Sequence, residues 1–285
     1  EALSFDVLSI GIGSVPSFDG VDAVDDSVVP IKPMQTFVDR LQAKLQAITF
    51  QNLDRPIRIV VVGGGVAGVE IALCIPHTLG EHGPDRRWDL SIVHAAEQLA
   101  EGTLPATQRK IHRELEKRGV KLHVGRRVRN IADGQLQTDN GLTLPADIVL
   151  WATGAAAPPL LRQFNLPADK RGFLLTDQAL RTTAGAPIFA VGDTGTMESE
   201  SVPKAGVFAV RQAPILWENI ERTLAGKELV RYHPQRRFLK LLNTGDRRAI
   251  GEYPLGKRFG LSSHSRWMWK LKELIDSRFV SKYQG

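Results

Sequence analysis

The chain has 285 residues, 42% of them hydrophobic, which is enough for two domains and a sizeable core. Its formal charge of +6 is uneven: from Lys227 onward 14 Lys and Arg face 5 Asp and Glu, so the basicity belongs to the tail and the residues before it are net acidic. A single cysteine, Cys74, excludes a disulfide framework, a C-x-x-C redox pair and a thiolate metal cluster, and no apolar run approaches the roughly 18 to 20 residues that span a bilayer.

In chain order, LSIGIGSVPSF (residues 8–18) reads as a strand running into a turn of small residues and Pro. Residues 19–32 are acidic and irregular and read as a surface loop. Phe37, Val38, Leu41, Leu45 and Ile48 then recur at helical spacing between Pro33 and Pro56, which predicts one amphipathic linker helix.

The next stretch, VVVGGGVAGVE at residues 60–70, is the most informative in the chain. Three β-branched residues lead into Gly63-x-Gly65-x-x-Gly68, with Gly64, Val66 and Ala67 between, and an apolar helical segment follows to residue 79. In such a turn the first Gly permits the bend, the second lets the backbone approach a pyrophosphate, and the third lets helix and strand pack closely. The helix N-terminus faces the phosphate charge, so a dinucleotide is expected here.

A charged loop around residues 82–84 precedes a second strand, residues 88–94. Dinucleotide folds end this strand with an acidic residue that binds the adenosine ribose. Here it ends in His94, which would suit a 2′-phosphate, with Glu97 as the alternative acidic partner, so NADH and NADPH stay open. Residues 107–118 predict a helix with Ile111 and Leu115 on its apolar face and Gly119 beyond its end. Short strands at 120–124, 128–131, 135–138 and 142–144 predict a β-meander or paired ribbons, and IVLWATG at 148–154 a buried strand that closes on Gly154.

LSIGIGSVP and VLWATGAAAP share one design, an apolar strand followed by Gly, small residues and Pro. Two such endings predict two dinucleotide domains, yet only one Gly-rich opening is present. The other opening is expected upstream of Glu1. A strand at 173–176 and the stretch IFAVGDTG at 188–195 follow, the latter placing Gly192 and Asp193 at a strand's C-terminal edge, where ligands bind in doubly wound folds. Lys204, Ala205 and Gly206 start a helix to residue 224, closed by Gly226. A hairpin around 243–246 and a last helix over 266–282 complete the chain.

GGGVAGVE (63–70), VLWATGA (149–155), TDQALRTTAGAPIFAVGDTG (176–195) and PKAGVFAVRQAPILWENI (203–220), in this order, resemble the flavoprotein reductases of the pyridine nucleotide-disulfide oxidoreductase superfamily. The branch most resembled is that of type II NADH dehydrogenases and sulfide:quinone reductases. The ending RWMWKLKELIDSRFVSKY is similar to flavoprotein modules fused to selenide, water dikinase. The resemblance implies an α/β fold with two Rossmann-like dinucleotide-binding domains in three layers, the first incomplete, plus a small C-terminal α+β segment. It divides the chain into an FAD-domain remnant at 1–32, a linker helix at 33–55, an NAD(P) domain at 56–152, a second FAD segment at 153–226 and a basic C-terminal segment at 227–285.

It further implies that the Gly63 to Gly68 turn takes NAD(P)H, with Glu70 near the nicotinamide and Gly154 closing that domain. Asp193, in the strand ending with Gly192, would bind the FAD ribityl chain, with Gly192 also at the cofactor, Gly13 and Ser14 would form the closing turn of the FAD domain, and Lys204 to Val207 would start a helix beneath the flavin. Each has a plainer alternative: a turn aspartate for Asp193, a solvated helix residue for Glu70, a surface lysine for Lys204. The family's quinone-side Gln residues align with Val207 and Arg211, which argues against quinone. The expected activity is hydride transfer from NAD(P)H to FAD and on to an unidentified small-molecule or quinone acceptor. The alternative is a nucleotide-binding module without turnover.

The seven histidines show no metal-ligand spacing, and no nucleic-acid partner is expected. In the last helix Met268, Leu271, Leu274, Ile275 and Phe279 form an apolar stripe beside Arg266, Lys270 and Lys272. Such a helix lies on a membrane surface or docks on its own domain or a partner. A cytoplasmic setting, with this peripheral contact as an option, is the expected localisation.

Overall fold

The computed structural model describes residues 3–49, 54–80, 88–200, 202–256 and 259–282, so the loop expected at 82–84 lies outside the described residues. Leu8–Ile10 (β1), Val15–Pro16 (β2), Ala23–Val24 (β3) and Val28–Pro30 (β4) precede the helix Phe37–Thr49 (α1). Ile57–Val62 (β5), Val66–Gly80 (α2), Trp88–Val93 (β6), Pro105–Lys117 (α3) and Lys121–His123 (β7) follow. Then come Val128–Ala132 (β8), Gln135–Thr138 (β9), Thr143–Pro145 (β10), Ile148–Trp151 (β11) and Ala155–Ala156 (β12). Leu160–Gln163 (α4), Leu174–Thr176 (β13), Ile188–Ala190 (β14), Gly195–Met197 (β15) and Gly206–Leu224 (α5) lead to Lys240–Asn243 (β16), Ala249–Pro254 (β17), Gly260–Ser265 (β18) and Arg266–Ser281 (α6).

The chain divides into two compact units, Glu1–Ser17 with Ala155–Arg236 and Phe18–Gly154 with Arg237–Gly285. The second unit is built on a five-stranded parallel sheet in the order β4-β11-β5-β6-β7. Its central strands are buried on both faces, which is why β5 and β11 read as continuous apolar runs and not as alternations. Ile59, Val61, Leu73, Ile92, Ile111 and Leu115 are fully buried on one side of this sheet, joined there by Phe37, Leu41 and Leu45 of α1. Each such side chain contributes about 1.5–3 kcal/mol by leaving water. A smaller sheet, β10-β9-β8-β3, packs Val128, Ile131 and Leu136 against Val149 and Trp151.

The first unit pairs β1 with β14 in parallel, and β13 with β15. Its β2 and β12 pair antiparallel, Ala155 opposite Pro16, so the two strand endings that share a sequence design also share hydrogen bonds.

Three expectations are corrected. Residues 19–32 are not an irregular surface loop: β3 and β4 lie there, with Val29 and Ile31 buried, because the apolar run 28–31 outweighs the acidic residues around it. The strand at 121–123 does not join the meander but extends the parallel sheet beside β6. The hairpin of β16 and β17 gains a third strand, β18, whose alternating polar sequence GLSSHS gave no apolar signal.

Candidate functional site

Between β5 and α2 each glycine has a separate spatial reason. Gly63 has φ +114°, its N–H donates to Val93 O at 2.9 Å, and a Cβ on it would strike Ala152 O. A Cβ on Gly68 would strike Gly63 O, so this Gly lets α2 rest against the turn. Gly64 is buried beneath Leu99 and the His94 ring, and Ala100 N–H donates to its carbonyl at 2.7 Å. Gly65 differs: it is exposed, and a Cβ there would meet nothing within 4 Å. The turn thus leaves one bare stretch of backbone, Gly65 with exposed Ala67, at the positive end of a 15-residue helix, while Val66 packs inward. A pyrophosphate fits this cradle, since only an open glycine lets an anion reach the backbone.

His94 sits just past the end of β6, and burial pushes its imidazole below the ordinary value. No carboxylate occupies that position; Glu97 lies against Gly125 instead. Gly154, exposed and with open space around it, follows β11, whose Trp151 pairs with Val62 beside the turn. Glu70 stands apart from these residues: its Oε1 accepts from Asn243 N–H at 2.9 Å, and burial raises its carboxyl.

In the first unit, Gly13, Gly192, Asp193 and Lys204 come together at the C-terminal edge of β1 and β14. Gly13, at φ +73°, donates to Thr194 Oγ1 at 2.9 Å, and Ser14 Oγ donates to Asp193 Oδ2 at 2.6 Å. Gly192, at φ +63°, donates to Gln212 Oε1 at 2.6 Å, and a Cβ on it would press on Ala209 Cβ at 3.1 Å. Lys204 is not a surface lysine. Its Nζ donates to Gly195 O at 2.5 Å and Thr196 Oγ1 at 2.9 Å and lies 4.1 Å from the Phe173 ring centre. Burial lowers its ammonium to about 8, although Asp169 and Asp193 act the other way.

Ala205 is the N-cap of α5 and has no side chain able to cap it. The positive end of a 19-residue helix therefore keeps donors for an external acceptor next to the Asp193 carboxylate. A flavin dinucleotide, with hydroxyls for Asp193 and a ring that gains negative charge on reduction, fits this donor set. Sequence reasoning missed Thr194, Thr196, Asp169 and Gln212. Gln212 could have been found, since a polar residue on the buried side of an amphipathic helix needs a partner.

The profile of one protein family, described as pyridine nucleotide-disulphide oxidoreductase, matches residues 1–213. The chain belongs to this family. Among pyridine nucleotide-disulphide oxidoreductases it is 28% identical over 253 residues to demethylphylloquinone reductase NdbB of Synechocystis sp., covering 86% of this chain and 61% of that protein. It is 25% identical to the alternative NAD(P)H-ubiquinone oxidoreductase C1 of Arabidopsis thaliana, covering 88% of this chain and 50% of the relative. The chain thus spans about half to three fifths of these relatives. The fold is that of the sulfide:quinone oxidoreductase of Aquifex aeolicus, with a TM-score of 0.74 at 17% identity over 98% of this chain and 69% of that one.

These 285 residues hold a single cysteine and so no cysteine pair of their own. That thiol, Cys74, lies half-buried on α2 beside Asn243 O, and burial pushes it up to about 12, far from a reactive thiolate.

Proposed function

We propose that this chain belongs to an FAD-dependent NAD(P)H oxidoreductase that delivers electrons to a quinone. The observation that carries the reading is the bare backbone at Gly65 in a turn whose other glycines are all closed in. FAD and NAD(P)H supply the hydride chemistry when bound. The chain's own residues bind and orient: Gly63 to Gly68 receive the nicotinamide dinucleotide's pyrophosphate, Asp193 holds the flavin's hydroxyl chain, and the uncapped start of α5 with Lys204 offers positive charge to the ring edge. Hydride transfer asks for alignment more than for an acid or base, and these residues are hydrogen-bonded into place.

Both relatives named above take quinones by name, which favours that acceptor over a sulfur or selenium species. With Val207 and Arg211 at the aligned positions and Gln212 committed to Gly192, quinone contact would not run through Gln side chains here. Burial holds the His94 imidazole below its ordinary value, so it brings no positive charge to a 2′-phosphate near neutral pH, and NADH and NADPH are both tested as donors. No helix among the described residues is long and apolar enough to cross a membrane. The basic, partly apolar α6 instead suits a peripheral contact with an anionic bilayer, where quinones dissolve.

The deciding experiment is spectroscopic. Purified native-length protein should carry flavin absorbance that bleaches on addition of NADH or NADPH and recovers with a short-chain quinone. Protein that stays colourless after FAD is supplied would overturn the oxidoreductase reading in favour of a non-catalytic nucleotide-binding module.

A further inference from the structure

We propose that the basic cleft between α3 and the C-terminal sheet is a binding site for a phosphate-bearing anion. It is lined by Lys110, Arg113, Glu114 and Lys117 of α3, by Arg248 just before β17 and by His264 of β18, and encloses about 240 Å³. Spacings of three, four and seven residues put the four α3 residues on one face of the helix.

The single carboxylate of the lining is already occupied. Glu114 is buried, its Oε1 accepts from Lys117 Nζ at 2.9 Å and its Oε2 from Arg118 at 2.7 Å. Burial alone would raise its carboxyl, but Lys117, Arg118 and the nearby His264 together hold it at about 2. Glu114 is therefore an anion throughout the physiological range, but Lys117 and Arg118 already meet its charge at hydrogen-bond distance, so it does little to offset Lys110, Arg113 and Arg248. Lys110 and Arg113 have no hydrogen bond or ion pair to any described residue, and the Arg248 guanidinium donates only to His264 O at 3.1 Å. Four cations against one spent carboxylate leave the cleft positive.

Like charges at these spacings repel, and an anion seated among them relieves that cost while gaining charge-assisted hydrogen bonds. The volume selects among anions. It is below the roughly 300–1,000 Å³ of pockets that enclose a drug-sized ligand, so a phosphate or the phosphate end of a larger ester fits and a whole dinucleotide does not.

A metal is disfavoured by the same geometry. Glu114, Asp246 and His264 offer ligand atoms within 4.8 Å of one another. Arg118 already lies 2.7 Å from the Glu114 carboxylate and 3.5 Å from that of Asp246, so a guanidinium fills the place a divalent cation would need.

Calorimetric titration of the full chain with inorganic phosphate tests the site. Because the Gly65 turn also accepts phosphate on the reading above, three proteins are compared: wild type, Gly65→Leu, and Lys110→Ala with Arg113→Ala. The two truncated side chains hold no partner among the described residues, so the double variant should fold as wild type, verified by its thermal midpoint. Wild type and Gly65→Leu should share a binding event that weakens about tenfold or more in the double variant. An unchanged titration in the double variant, or no event that survives Gly65→Leu, would overturn the site. A soluble short-chain phosphatidate separates the sources. Tighter binding than inorganic phosphate, lost in the double variant, identifies a lipid headgroup; equal or weaker binding identifies a free phosphate or small ester.

Discussion

Gly65 and Gly68 look equivalent in sequence, yet a side chain at each would meet different surroundings. A Gly65→Leu side chain would enter open space, so the protein should keep its thermal midpoint while nicotinamide affinity falls at least tenfold as the side chain displaces the pyrophosphate. Gly68→Ala would drive a methyl into Gly63 O and cost about 1–3 kcal/mol of stability, read by denaturant unfolding. Equal effects of the two changes would refute the assignment of roles. Lys204 makes a second prediction. Its folded value is about 8 against 10.5 when free, so between those pH values the unfolded chain holds a proton that the folded chain has released. Stability must then rise with pH across that window through this group, by no more than about 3 kcal/mol after solvent screening. In Lys204→Met the rise should vanish from urea midpoints measured at pH 7.5 and 10. The motif was legible because turn glycines leave a fixed spacing. The environment of Lys204 was not, because Phe173, Gly195 and Thr196 reach it through the pairing of β13 with β15.

At the level of elements, α3 shows why a helix start can be hidden. Its N-cap is Leu104, which offers no side-chain acceptor, so nothing local marks the start beyond Pro105 at the first turn, and periodicity alone places it at Thr107. The missing cap arrives from β17: the buried Glu252 carboxylate accepts from Leu104 N–H at 2.7 Å and from Lys240 Nζ at 3.0 Å. The C-terminal sheet is thereby tied to α3, and to α2 through Glu70 and Asn243 of β16. Strands β5, β6 and β11 were readable because burial on both faces forces apolar runs; β18 was not, since its residues face Thr107 and solvent as much as core. Glu252→Ala leaves the Leu104 N–H without its acceptor and Lys240 with Gly102 O alone, at 2.6 Å, and should cost about 1–3 kcal/mol in denaturant unfolding. A loss below 1 kcal/mol would mean that water replaces the carboxylate. Glu114 adds an acid limb. Its carboxyl falls from an ordinary 4.5 to about 2 in the folded chain, so its contribution is full above 4.5 and disappears as pH falls to about 2. The amount is about 3 kcal/mol, and Glu114→Gln should remove that acid limb from a pH series of unfolding midpoints.

For the whole molecule, the uneven charge read at the outset acquires a location. The basic tail forms a sheet that rests on α2 and α3 and a helix, α6, whose first turns dock while its later turns are solvent-exposed. Met268 lies against Gly251, but Trp267 is 75% exposed, and Leu274, Ile275, Phe279 and Val280 are 36–47% exposed along the helix. Docking on its own domain, one of the alternatives the stripe left open, thus accounts for the start of α6 and leaves its later turns unexplained. Their apolar residues alternate with Arg278, Lys270 and Lys272, the last paired to Asp276 at 2.9 Å. A surface of this kind suits the boundary between headgroups and acyl chains of an anionic bilayer, with apolar burial and charge attraction adding. Trp267→Ser with Ile275→Ser should therefore leave the thermal midpoint and flavin content unchanged, since both side chains face water. Co-sedimentation with vesicles containing phosphatidylglycerol should fall about tenfold, and binding of the wild type should weaken as salt screens the Lys and Arg contribution. If the double variant sediments like wild type, α6 covers a protein surface instead, and a shift from dimer to monomer in the variant's sedimentation velocity would identify a second copy of the chain as its partner.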